Sequence, residues 1–404
     1  MSHRWNRRPA KSIVGLAVFL MGLPASAGEP PSKAATPPFE LRDGDRVVLL
    51  GSGLIEQERR HGYLETRLRR RLPDGALVFR NLGWAGDTVR GIARTSGFQN
   101  PEGFARLLKE VHDYKPTVLL IGYGTNESFE GAAGLAGFVE DYARLLAKLA
   151  PFKARVVLLS ATYQEDLGRP FPDPAAHNRD VDKYNLAINR LAEANKLRYV
   201  ELASTMAAKK RAEPQKHLTT NGLQFNEDGS QVIARLIEDG LRLPPRRWAV
   251  KLDASGELMD ADGTMVDNIA ATKDGLRFRA KDKTLSAGDG QYLKIAALAA
   301  GQYALKRDGR ELLRASAIEW DRGISFVDVL LAADAEPLRQ AVIANNEMFY
   351  RRWRPFNDHS RHWGFIGGDG KLYDQEMAVH EKTIADRSRT RRVLVELVRL
   401  EEGK

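Results

Sequence analysis

Arg46-Val47-Val48-Leu49-Leu50 is an aliphatic run that closes on Gly51-Ser52-Gly53. A short apolar run ended by a glycine turn reads as a buried strand. Four more such runs follow, at Leu77–Asn81, Thr117–Gly122, Arg155–Ser160 and Arg198–Leu202. Helical patterns at Gly62–Leu72, Gly103–Asp113, Gly134–Leu149, Asp180–Asn195 and Ser230–Leu241 accompany them. Strands alternating with helices of this length predict an α/β domain over residues 40–243, built on a parallel five-stranded sheet covered on both faces. Ligands of such sheets lie beyond the carboxyl ends of the strands.

Three short segments fall at those ends: Gly51-Ser52-Gly53, Asn81-Leu82-Gly83-Trp84-Ala85-Gly86-Asp87-Thr88, and Gly122-Tyr123-Gly124-Thr125-Asn126-Glu127. A fourth, Asn221-Gly222-Leu223-Gln224, leads through Phe225-Asn226-Glu227-Asp228-Gly229 into a helix. In order, spacing and local sequence these segments resemble the four blocks of the SGNH (GDSL-type) hydrolases. The resemblance covers Arg46 to Leu241 and implies a flavodoxin-like sheet and ester hydrolysis, often deacylation of glycans or lipids. It implies that Gly86 and Asn126 are oxyanion-hole donors, with Trp84, Asp87, Tyr123 and Glu127 around the pocket.

The same resemblance puts Gly53 at the position of the nucleophilic serine, and Asn221 and Gln224 at the positions of the acid and base of an Asp-x-x-His pair. Glycine has no nucleophile, and neither amide can accept and return a proton near neutral pH. Ser52, one position earlier, serves as nucleophile only if the turn slides by one residue, and His217 is the nearest base. Three functions stay open: a weakly catalytic or non-catalytic binder of an acylated or anionic saccharide, an ester hydrolase with a relocated nucleophile and base, and an envelope scaffold. A triad acts as a unit, so three substituted positions lower turnover little more than one does, and the binder is preferred.

Past Pro244-Pro245 the pattern changes to closely spaced turn signals between short alternating runs, which predicts a β-rich accessory domain at 246–335 with a hairpin at Asp308-Gly309. Asp260-Ala261-Asp262-Gly263 lacks the later ligands and terminal Glu of a calcium loop and reads as a turn. Residues 336–404 read as a helical segment, with an aromatic and basic interruption at Phe349–Pro355 and a final Arg-rich helix from Tyr373 to Leu400. Arg67, Arg69, Arg70 and Arg71 read as the solvent face of the first helix. His177-Asn178, His359, His362 and His380 show no metal-ligand spacing, so neither a metal nor a cofactor is expected.

Arg4, Arg7, Arg8 and Lys11 precede the apolar stretch Ser12–Pro24 and Ala25-Ser26-Ala27. That sequence predicts a cleaved bacterial export signal at 1–27, followed by a proline-rich linker at 28–39 and a periplasmic or extracellular protein. The apolar stretch is too short to span a bilayer, so no stable membrane span is expected. There is no cysteine, and stability therefore comes from packing rather than disulfides. The formal charge of +9 falls to +5 without the four cations of the signal. No nucleic-acid motif accompanies that mild excess, and the expected partner is a small-molecule or glycan ligand.

Overall fold

The computed structural model describes residues 38–95, 102–285, 290–327, 334–354 and 370–401. The export signal, all but the last two residues of the linker, His359 and His362 lie outside them. The α/β domain carries strands β1 (Arg46–Gly51), β2 (Val78–Gly83), β3 (Val118–Gly122), β4 (Arg155–Leu159) and β5 (Arg198–Val200), in spatial order β2-β1-β3-β4-β5 with every pair parallel. Alternation divides each strand between two cores. Val47, Leu49, Val118, Leu120 and Val157 pack on one face, and Val48, Leu50, Leu119, Ile121 and Leu158 on the other. Both faces being buried is why the strands read as unbroken apolar runs.

The helices are α1 (Gly53–His61), α2 (Tyr63–Arg69), α3 (Glu102–Tyr114), α4 (Gly131–Leu149), α5 (Ala175–Ala194), α6 (Ala203–Ala212) and α7 (Glu227–Leu241). The first helical stretch therefore starts at the turn after β1 rather than at Gly62. Gly62, at φ 62°, ends α1 and opens α2 in the left-handed conformation that glycine adopts without steric penalty.

The arginine cluster does not face solvent. Arg69 and Arg70 are buried, and Arg69 donates to Glu65 at 2.8 Å and to the Leu77 carbonyl at 2.9 Å. Arg67 and Arg71 each donate to one oxygen of the fully buried Glu238 carboxylate on α7, both at 2.5 Å. The reason is that α2 lies between α7 and the C-terminal helix α9 (Ala335–Trp353), which leaves it no free side.

The accessory domain comprises β6 (Ala249–Asp253), β7 (Leu258–Asp262), β8 (Thr264–Thr272), β9 (Gly275–Asp282), β10 (Gln291–Ala296), β11 (Gln302–Arg307), β12 (Arg310–Ser316), α8 (Ala317–Arg322) and β13 (Ile324–Phe326). These form one sheet in the order β13-β10-β6-β7 and contribute to another in the order β12-β11-β14-β9-β8, in which β14 is Arg392–Arg399. Val250, Phe278, Leu293, Leu305 and Trp320 share the core. Asp308-Gly309 makes the expected hairpin between β11 and β12.

The chain end departs from the expected helix. Helix α10 (Gly370–Ser388) stops, and Arg392–Arg399 forms strand β14 between β9 and β11. Val393, Val395 and Leu397 point inward at every second position, a strand period rather than a helical one. No helix among the described residues is long and apolar enough to cross a membrane.

Candidate functional site

Gly51, Gly83 and Gly122 are register partners across β2, β1 and β3, so three loops leave one edge of the sheet side by side. Only glycine fits at two of these positions. A Cβ on Gly83 would lie 2.3 Å from the Glu56 backbone nitrogen, and one on Gly51 would lie 2.4 Å from the Gly122 carbonyl oxygen. Helix α1 is thereby seated directly over the strand ends, with its N-terminus among the three loops. Ser52 is buried, its backbone N–H donates to the Gly122 carbonyl at 3.1 Å, and its hydroxyl makes no hydrogen bond among the described residues. Gly53 follows as the first residue of α1, where a Cβ would meet nothing nearer than Gln57 Nε2 at 3.5 Å.

The second and third loops are locked to each other. Asn126 donates one amide proton to the Asp87 carbonyl at 2.7 Å, next to the Gly86 peptide. Its second amide proton and the exposed Gly86 N–H have no acceptor among the described residues. The Glu127 carboxylate receives the Val89 N–H on one oxygen and the Gly124 N–H on the other, each at 2.9 Å, and burial pushes it up to about 7. Two preorganised donors therefore stand together on a braced frame, the arrangement that holds a carbonyl, carboxylate or oxyanion oxygen.

Asp87 and Tyr123 turn inward, whereas Glu127, though buried, lines a cavity of about 280 Å³ with Thr88, Val89 and Phe138. Asp87 is fully buried and accepts from Arg94 at 2.7 Å, from the Tyr123 hydroxyl at 3.1 Å and from the Ala93 N–H at 3.2 Å. Arg94 also donates to Glu110 at 2.5 Å and to the Leu82 carbonyl at 2.8 Å. Burial alone would lower the Arg94 guanidinium, but Tyr123, Asp87 and Glu110 outweigh it and hold it above its ordinary value. Burial and the Asp87 charge raise Tyr123 far above the tyrosine range. Trp84 lies edge-on against Trp353 at 5.7 Å and under the Arg354 guanidinium at 4.0 Å.

The fourth segment reaches the same edge through Gln57. Gln57 Oε1 accepts the Phe225 N–H at 2.6 Å, directly after Gln224, while Nε2 of the same side-chain amide faces the empty side-chain position of Gly53. Asn221 folds onto its own loop, accepting from Leu223 at 3.1 Å and Gln224 at 2.8 Å. Both Asn221 and Gln224 are exposed. Asn226 caps α7 by accepting the Gly229 N–H at 2.9 Å. His217 binds Glu165 at 3.1 Å and makes no contact with Ser52. His177 is 2.8 Å from the Ser128 hydroxyl and stacks on Phe129 at 3.8 Å, and His380 lies on α10. No cluster of metal-ligating side chains occurs among the described residues.

Four residues that matter here escape the sequence reading: Glu56, Gln57, Arg94 and Glu165. Gln57 alone carried a local signal, standing one helical turn after Gly53 on the same face of α1. The others act through partners that no local pattern announces.

Residues 49–232 match the model of the GDSL-like Lipase/Acylhydrolase family. Among solved structures, a gut microbial diltiazem-metabolizing enzyme is similar at TM-score 0.70 and 16% identity, over 90% of this chain and 99% of its own. A catalytic mutant of an acetylxylan esterase from Geobacillus stearothermophilus reaches 0.41 at 17% identity, over 51% of this chain and 99% of its own. An alpha/beta hydrolase enzyme from the metagenome of Lake Arreo, Spain, reaches 0.41 at 20% identity, over 51% and 99%. The first of these extends beyond the α/β domain, so the accessory strands and C-terminal helices belong to the shared fold. No curated protein matches the sequence.

Proposed function

Residues 49–232 belong to the GDSL-like lipase/acylhydrolase family, and from that premise we propose that this chain binds an acylated or anionic saccharide with little or no turnover. A contrast inside one site supports it. Gly86 and Asn126 keep free donors on a braced frame. Gly53, Asn221 and Gln224, at the matching positions of the other two segments, offer no nucleophile, acid or base. Donors alone still receive a carbonyl or carboxylate oxygen, and the basic balance of the chain, with a pI near 9.5, favours an anionic or acylated glycan. The charged start and Ala25-Ser26-Ala27 favour export, and a mature N-terminus near Gly28 by mass spectrometry is the corresponding expectation.

The test restores the missing groups. Gly53→Ser, Asn221→Asp and Gln224→His, alone and together, are assayed with the wild type on short-chain acyl esters. Because a triad acts as a unit, each single variant should stay within about threefold of the wild type and the triple variant should gain at least about 10²-fold. The space at Gly53 accepts a serine Cβ at ordinary contact distance, so the exchange needs no backbone movement. Robust wild-type turnover that Ser52→Ala abolishes would instead establish a hydrolase with a relocated nucleophile.

A further inference from the structure

A cavity of about 260 Å³ lies between the loop after β4 and helix α6. It opens at the carboxyl end of β4 and β5, the edge at which sheets of this kind hold ligands. Tyr163, Met206, Ala207 and Leu218 give it a mostly apolar lining, and Glu165, Asp166, Lys210 and Arg211 bring charge to it. The loop at Gln164 and Glu165 divides it from the segment around Gly222, whose Cβ position is 3.3 Å from Gln164 Cγ.

Glu165 is already satisfied, whereas Asp166 holds only a backbone contact. Glu165 accepts from the Thr219 hydroxyl at 2.6 Å and the Leu218 N–H at 3.0 Å, with Lys210 at 3.0 Å and His217 at 3.1 Å. One oxygen of Asp166 is turned to the Gly168 N–H at 2.9 Å. Arg211, exposed at the end of α6, has no ion-pair partner among the described residues and follows Lys209 and Lys210 in the last turn. The lining charges balance, but Lys210 is engaged by Glu165 and Arg211 is left without an ion-pair partner among the described residues, so an apolar interior with that cation at its rim complements an amphipathic monoanion. At ~30 Å³ for each water-sized group, the volume holds roughly eight such groups.

We propose that this cavity binds a medium-chain alkyl carboxylate, its tail against Met206, Ala207 and Leu218 and its carboxylate toward Arg211. The site is separate from the Gly86 and Asn126 donors and does not depend on the function proposed for them. Titration of the whole chain with octanoate, octanol and acetate by calorimetry tests it, with Ala207→Phe to fill the cavity and Arg211→Glu to reverse the rim charge. Octanoate should bind saturably, and acetate, which lacks the tail, should not. Ala207→Phe should weaken octanoate at least about tenfold, and Arg211→Glu should do so while leaving octanol unchanged. Arg211 is exposed, so its variant reports even where the larger side chain at 207 perturbs folding. Absence of saturable octanoate binding, equal affinity for octanol, or octanoate binding indifferent to both variants would overturn the proposal. The readout is equilibrium binding of an unreactive carboxylate by variants on α6, so its failure is distinguishable from failure of the ester assay.

Discussion

Glu58, on the buried side of α1, receives the Leu64 and Glu65 backbone N–H groups on one oxygen, at 2.5 and 3.4 Å. Burial pushes its carboxyl from 4.5 up to about 8, with those N–H groups acting the other way. A raised carboxyl binds its proton more tightly folded than unfolded. Its contribution to stability is therefore fully present below pH 4.5 and is lost as pH rises through 8. Glu127, raised to about 7, adds to the slope with the same sign. Glu58→Gln keeps the accepting oxygen and removes the titration. Its thermal midpoint should therefore fall less steeply than the wild type's between pH 5 and 8, the difference reflecting up to about 1.4 kcal/mol per pH unit crossed. Parallel curves would refute this. Such residues are invisible in sequence because burial, not type, sets their behaviour. The placement of Gly86 and Asn126 at the strand ends was legible because their loops follow consecutive strands, whereas Arg94 acquires its role only through Asp87 and Glu110.

At the scale of elements, helix α9 braces the site from the far end of the chain. Arg59 on α1 donates to Glu347 at 2.5 Å and lies 3.6 Å over the Tyr350 ring. Arg354, just past α9, donates to Glu56 at 2.8 Å while covering Trp84, and Glu56 also accepts the Ala85 N–H beside Gly86. A donor loop is thus held through a contact spanning 298 residues, which no periodicity in the sequence could announce. Arg354→Ala removes a cation from a buried carboxylate and from an indole face, a loss on the order of 1–3 kcal/mol. Amide hydrogen exchange in residues 84–87 should accelerate about tenfold or more while α7 is unchanged. Unaltered exchange there would show that α9 merely covers the loop. The helix pattern of α9 was readable. Its docking was not, since the sequence showed no helical pattern before Gly62 and so did not announce α1, on which α9 packs.

For the whole molecule, the consequential strand is the last one. β14 inserts between β9 and β11, so the accessory domain is discontinuous: its second sheet is complete only when the chain returns after α9 and α10. The run Arg389-Thr390-Arg391 just before it, continued by Arg392 at its start, masks the alternation of Val393, Val395 and Leu397, and both pairing partners lie far upstream. That is why the α/β half was legible from its own strands while the end of the chain was not. Asp74 ties the halves together, receiving the Thr390 N–H and hydroxyl at 3.2 and 3.0 Å and lying 3.3 Å from Lys281 on β9. A chain ending at Arg391 keeps those ties but loses three buried side chains, each contributing about 1.5–3 kcal/mol, and opens β9 and β11 as bare edges. Limited proteolysis should then cut within residues 249–326 while the α/β domain survives, whereas Val395→Ala should lower the thermal midpoint without opening that region. Wild-type resistance in the shortened chain would show that the accessory core closes without β14.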